Sequence, residues 1–245
     1  MDKVNILGVY VDMVNIPQAA DRIMEFLDED KFHAVFTPNS EIIMHAYKNT
    51  EFADLLNRAE LLTADGIGVV HASKILGKPI KERAAGYDIA RLVLSKMNET
   101  GHKLFMLGGK PGVAEEAQVN LLKDYPNLKI VGLRNGYFKA EEEQEIVEEI
   151  NASGADMLFV CLGAPKQEEW INRNRDALNV RVAMGIGGSL DVFAGRVERA
   201  PEFFCKTGLE WFYRLCKEPW RIGRMMELPK FAATVVLKGK KYKQE

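Results

Sequence analysis

Cysteine is scarce: Cys161, Cys205 and Cys216 are the three thiols of a 245-residue chain. They are too few and too scattered for a disulfide framework, and no Cys-x-x-Cys pair offers a zinc site, so a reducing compartment, the cytosol, is expected. Histidine is sparse too, and His33, His45, His71 and His102 lack metal-ligand spacing. Long apolar runs are missing. The best, Phe231 to Leu237, falls far short of the roughly 20 residues that span a bilayer. The opening stretch MDKVNILGVYVDMVNIPQ has neither the apolar core nor the cleavage site of a signal peptide. Neither a Gly-x-Gly-x-x-Gly fingerprint nor a P-loop occurs, so no dinucleotide or P-loop assignment is licensed.

What is present is ordinary in bulk. With 47% hydrophobic and 28% charged residues, the composition excludes a disordered chain, a collagen-like chain and a polytopic membrane protein. The charge, however, is unevenly placed. From Arg196 onward 12 lysines and arginines stand against 6 acidic residues, a net +6, whereas the preceding 195 residues carry −8. A basic, aromatic-rich end on an acidic body suits an anionic surface, either nucleic acid or the cytoplasmic leaflet of a membrane. An ordinary solvated helical segment has the same signature. The acidic body and the lack of a reader motif argue against nucleic acid.

Hydrophobic patterning gives a short β pair around Asn5 to Met13, then strands and helices in alternation. Strands are expected at Phe32 to Phe36, Glu60 to Ala64, Lys103 to Leu107, Lys129 to Leu133, Met157 to Leu162 and Val180 to Gly185. One helix is expected through Met44 and Ala53, and others at Pro17 to Asp28, Val69 to Leu76, Gly86 to Glu99, Val113 to Tyr125, Ala140 to Ser153 and Pro165 to Leu178. Parallel strands need crossovers, so the fold class is α/β: a Rossmann-like, mostly parallel sheet with helices on both faces. Residues 1–195 are expected to form this α/β domain and, with the loops at its strand ends, to hold any catalytic site. Residues 196–245 read as a helical, basic appendage contacting membrane or substrate, divided by Pro201, Pro219 and Pro229.

Ligands of open α/β sheets bind beyond the carboxyl ends of the strands. Five loops fall there: Thr37-Pro38-Asn39, Ala64-Asp65-Gly66, Gly108 to Gly112, Gly163 to Gln167 and Gly185 to Ser189. Asp65, between an apolar strand and a Gly-x-Gly turn, is the candidate general base, or simply a helix N-cap. Thr37 and Asn39 could position a sugar or form a turn. Gly108 and Gly109, like Gly187 and Gly188, could offer backbone amides to a phosphate. Lys166 and Gln167 would be displayed beside them, while Lys166 and Glu168 also suit a solvated helix start. Asp28-Glu29-Asp30 formally matches the Asp-x-Asp metal pattern of sugar-nucleotide enzymes, but it ends a helix away from these loops and is discounted. In the appendage Arg214, Lys217, Arg221 and Arg224 recur at i, i+3, i+7 and i+10, a cationic stripe suited to a diphosphate or to water. Trp211, Phe212, Leu215 and Trp220 beside it suit a bilayer interface or the core.

Phe36-Thr37-Pro38-Asn39, Thr63 to Val69, Gly86-Tyr87-Asp88, Leu107 to Gly112 and Leu162 to Glu168, in that order, resemble the bacterial WecG/TagA/CpsF glycosyltransferase family over about residues 5 to 200. The resemblance implies inverting transfer of N-acetylmannosamine from UDP-N-acetylmannosamine to the 4-hydroxyl of N-acetylglucosamine on undecaprenyl diphosphate, in wall teichoic acid linkage-unit synthesis. It implies no metal and no cofactor, and a protein held peripherally at the anionic inner face of the plasma membrane. It makes Asp65 the base and lines the pocket with Thr37, Asn39 and Gln167. Arg83, with Arg214, Arg221 and Arg224 closing over the site, is then expected to stabilise the departing UDP. A different donor, such as UDP-N-acetylmannosaminuronic acid, is the alternative within the family, and a nucleotide-cofactor oxidoreductase is the alternative outside it. Exposed apolar surface in the appendage also leaves room for a homo-oligomer.

Overall fold

The computed structural model describes residues 1–217, 219, 223 and 226–242, with the backbone alone for Glu202, Lys206, Arg214 and Lys240. Arg221 and Arg224 therefore lie outside the described residues, as does the side chain of Arg214.

Strands β1 (Lys3–Ile6) and β2 (Val9–Asp12) form an antiparallel hairpin. Six strands follow: β3 (His33–Phe36), β4 (Leu61–Leu62), β5 (Lys103–Gly108), β6 (Lys129–Arg134), β7 (Met157–Cys161) and β8 (Val182–Gly185). They make one parallel sheet in the order β4-β3-β8-β7-β5-β6. The helices are α1 (Ile16–Asp28), α2 (Ser40–Lys48), α3 (Thr50–Asn57), α4 (Ile67–Ile75), α5 (Gly86–Thr100) and α6 (Val113–Asp124). They continue with α7 (Glu143–Ser153), α8 (Lys166–Asn174), α9 (Ser189–Phe193), α10 (Glu202–Lys206), α11 (Glu210–Lys217) and α12 (Glu227–Lys238).

Successive strand residues point to opposite faces, so each strand feeds two cores. Phe105, Leu107, Leu158 and Val160 join the core under α2, α3, α4, α7, α8 and α12. Leu104, Met106, Met157 and Phe159 join the core under α1, α5, α6 and α9. Both faces of the central strands are covered, which is why β7 reads Met-Leu-Phe-Val-Cys with no polar residue. The crossovers also make a crevice. The chain leaves β3 for α2 on one face and β8 for α9 on the other, so the loops of these adjacent strands part at their carboxyl ends.

The helix expected through Met44 and Ala53 is two helices. Asn49 separates them: its amide closes α2 on the carbonyls of His45 and Ala46, and its side chain accepts from the Phe52 amide to start α3. Strand β4 is shorter than expected because its continuation turns toward residues 83–86, where the Thr63 hydroxyl donates to the Ala84 carbonyl at 3.1 Å.

The C-terminal segment is anchored at its far end. Helix α12 buries Phe231 and Val235 in the first core, against α2 and α4, and Glu227 pairs with Lys48 at 3.2 Å. Pro201 precedes α10, and Pro229 falls in the first turn of α12, where a missing amide costs nothing. Phe203, Leu209, Trp211 and Phe212 remain exposed. Among the described residues no helix is long and apolar enough to cross a membrane.

Candidate active site

Asp65 is fixed from three sides. Its amide donates to the Pro38 carbonyl at 3.2 Å, tying it to the β3–α2 loop. Ala84 donates to the Ala64 carbonyl at 3.0 Å, which lays residues 83–86 alongside. The amide of Gly86, first residue of α5, then donates to Asp65 Oδ2 at 3.3 Å. Gly66, not Asp65, is the N-cap of α4, and its φ of +130° is one that glycine alone adopts freely. The carboxylate thus faces the start of α5 at the crevice, half-buried, and does not cap its own helix.

Thr37 lies between the strands that part. Its buried hydroxyl donates to the Gly185 carbonyl at 3.4 Å, and a Cβ on Gly86 would come within 2.8 Å of its oxygen. Only glycine lets α5 start so close to β3. Asn39 has a local duty: its Oδ1 accepts from the Ile42 amide at 3.0 Å and caps α2. The side chain is thereby occupied locally, at the loop that follows β3.

The glycine loops are less open than their sequence suggests. The Gly109 amide donates to the Cys161 carbonyl at 3.2 Å, and the Gly187 amide donates to Gln167 Oε1 at 3.0 Å. Gly108 sits at φ +136° where a Cβ would collide with the Cys161 carbonyl, so close approach of β5 to β7 accounts for it. Around Gly188 the space is open. Lys166 is exposed at the rim, its ammonium 5.0 Å from the Phe138 ring.

Arg83 meets the C-terminal segment. Its guanidinium pairs with Glu210 at 2.6 Å and approaches Asp88 at 3.8 Å, while Arg199 pairs with Asp88 at 2.6 Å and covers the Tyr87 ring at 4.6 Å. Burial works against the charge on Arg83, but Glu210, Asp65 and Asp88 outweigh it and raise its pKa. Sequence reasoning missed Asp88, Arg199 and Glu210 as partners, because 127 positions separate Arg83 from Glu210 and no local pattern joins them. Asp28-Glu29-Asp30 lies at the opposite, amino end of the sheet, where Glu29 pairs with Lys31 at 2.8 Å and lies 3.2 Å from the buried His33 ring.

Glu168 departs most from expectation. It is not a solvated helix start but 1% exposed, with Oε1 accepting from Gln167 Nε2 at 2.8 Å and Oε2 buried without a hydrogen-bond partner. Burial pushes its pKa from the ordinary 4.5 up to about 6, against the lowering effect of the Gln167 hydrogen bond. The ionised group therefore opposes folding. That opposition is absent below the unfolded value, grows as pH rises toward the folded value, and levels off above it at about 2 kcal/mol. Glu168→Gln is expected to gain up to about 2 kcal/mol at pH 8 and nothing at pH 4, checked by denaturant unfolding at both pH values. Equal effects at the two pH values would contradict this.

A carboxylate near an arginine, at the carboxyl ends of parallel strands, offers a proton acceptor and an anion-binding group side by side. A model of the glycosyl transferase WecG/TagA/CpsF family matches residues 4–245. The chain belongs to that family. A Bacillus spizizenii relative named N-acetylglucosaminyldiphosphoundecaprenol N-acetyl-beta-D-mannosaminyltransferase is 40% identical over 211 residues, 86% of this chain and 81% of the relative. Proteins of the same name from Bacillus subtilis and Staphylococcus aureus MRSA252 are each 36% identical, over 94% and 99% of this chain and 92% and 95% of their own. In this WecG/TagA/CpsF-family chain the match extends through the C-terminal segment that carries Arg199 and Glu210.

Proposed function

We propose that the chain transfers N-acetylmannosamine from UDP-N-acetylmannosamine to the 4-hydroxyl of N-acetylglucosamine on undecaprenyl diphosphate, with inversion and without a metal. The observation that carries this reading is Asp65, a carboxylate presented at the crevice by the Gly86 amide and not consumed in capping α4. The names of the three relatives supply the acceptor and the sugar. An inverting displacement needs one base. Asp65 takes the proton of the acceptor hydroxyl as its oxygen attacks the anomeric carbon, and the bond to UDP breaks on the opposite side.

Negative charge then grows on the diphosphate. Arg83 is a described cation beside Asp65, and Arg214, Arg221 and Arg224 of the C-terminal segment are the further cations proposed to bind the diphosphate. Thr37, Asn39, Gln167 and the open turn at Gly188 line the rest of the pocket. Residues 1–195 form the catalytic unit, with 196–245 the appendage that meets membrane and substrate. Its net +6 charge and exposed Phe203, Leu209, Trp211 and Phe212 suit the anionic inner leaflet of the plasma membrane. The chain is expected to sediment with phosphatidylglycerol vesicles at low salt and to be released by high salt; equal binding to neutral vesicles would contradict the electrostatic account.

The test of the transfer is UDP release in EDTA with a lipid-diphosphate N-acetylglucosamine acceptor. UDP-N-acetylmannosamine is expected to turn over at least tenfold faster than UDP-N-acetylmannosaminuronic acid or UDP-N-acetylglucosamine. Preference for another donor would retain the family and overturn the sugar.

A further inference from the structure

Gln167 bridges two loops of the crevice, and the group that decides how it does so is Glu168. Gln167 lies against the end of β8 so closely that a Cβ on Gly185 would come within 3.0 Å of its Nε2. Its Oε1 accepts from the Gly187 amide at 3.0 Å and its Nε2 donates to Glu168 Oε1 at 2.8 Å. An ionised carboxylate only accepts hydrogen bonds, so it requires the nitrogen end of the neighbouring carboxamide. The oxygen end is then turned to Gly187. With a neutral partner that both donates and accepts, either orientation of Gln167 satisfies the pair, and in one of them two N–H groups confront each other at Gly187.

We infer that Glu168 is a positioning residue for the transfer, setting the Gln167 carboxamide and through it the Gly185–Gly188 turn that faces Thr37 across the crevice. Its place in the first turn of α8 offsets part of the cost of burying the charge, and its burial beside Gln167 keeps it off the substrate. A carboxylate with one buried oxygen unpartnered is poor design for stability alone. Orienting the carboxamide gives that arrangement a purpose. The inference rests on the crevice being the site of transfer.

The test is Glu168→Gln, which preserves volume, with Glu168→Leu as a second variant that removes the acceptor altogether. Exchange of the Gly187 amide, followed by NMR on the ligand-free chain, is expected to quicken about tenfold in Glu168→Leu, the scale of one lost hydrogen bond, and by a smaller factor in Glu168→Gln, whose carboxamide oxygen still accepts from Gln167 in one of its two orientations. In transfer assays kcat is expected to fall in the same order, more in Glu168→Leu than in Glu168→Gln, while thermal unfolding shows both chains folded. Added to Gln167→Ala, Glu168→Gln is expected to change the rate no further, because its effect passes through Gln167. Unchanged exchange at Gly187, or rate losses that simply multiply, would overturn the inference. Exchange needs no substrate, so a wild-type chain that transfers no sugar would count against the function while Gly187 still decides the role of Glu168.

Discussion

Asp65→Asn is expected to lower the rate of sugar transfer by about 10²–10⁴-fold, the usual contribution of a general base, while UDP affinity changes less than about twofold. Asparagine retains the shape of the side chain and an oxygen that can accept from the Gly86 amide, so the start of α5 stays where it is. What disappears is the ability to take a proton. Because binding and geometry survive, the loss falls on kcat, the signature of an interaction made in the transition state. Single-turnover UDP release, with thermal unfolding as the check on folding, measures it. A variant keeping more than half the wild-type rate would leave Asp65 a structural tie and nothing more.

Phe231→Ala is expected to destabilise the chain by about 3–5 kcal/mol. Phe231 is 2% exposed in the core shared with α2 and α4, so removing its ring leaves a hole among buried side chains. Leu237 on the same helix is 76% exposed, and Leu237→Ala is expected to stay within about 0.5 kcal/mol. Denaturant unfolding of the pair tells whether α12 is part of the folded core. Similar, small effects for both would contradict the packing described.

The parallel sheet and the loops at its carboxyl edge were legible in the sequence, because fully apolar strands such as β7 and glycines at strand ends follow from local backbone and burial requirements. Asp65 was legible only as an alternative. It was read as base or helix cap, and the start of α4, where Gly66 stands at the cap position, excludes the cap. Gly109 and Gly187 looked like free donors because sequence shows a glycine's freedom and not its hydrogen-bond partner; Cys161 and Gln167 already hold their amides. Glu168 looked solvated since charge outweighs position in a linear reading. Its neighbours Trp170 and Ile171, both buried, were the signal that this face of α8 turns inward. The joining of Arg83 to Glu210 had no local signal at all, because it is set by the way the C-terminal segment returns across the start of α4, where a Cβ on Gly208 would strike Ile67.

The most direct measurement pairs the wild-type chain, in EDTA, with UDP-N-acetylmannosamine and two lipid-diphosphate acceptors, one bearing N-acetylglucosamine and the other its 4-deoxy analogue. UDP release and a β-linked disaccharide with the first acceptor, and neither with the second, are the predicted result. Transfer to the 4-deoxy analogue, an α-linked product, or no transfer without added metal would contradict a metal-free displacement by the 4-hydroxyl with Asp65 as its base.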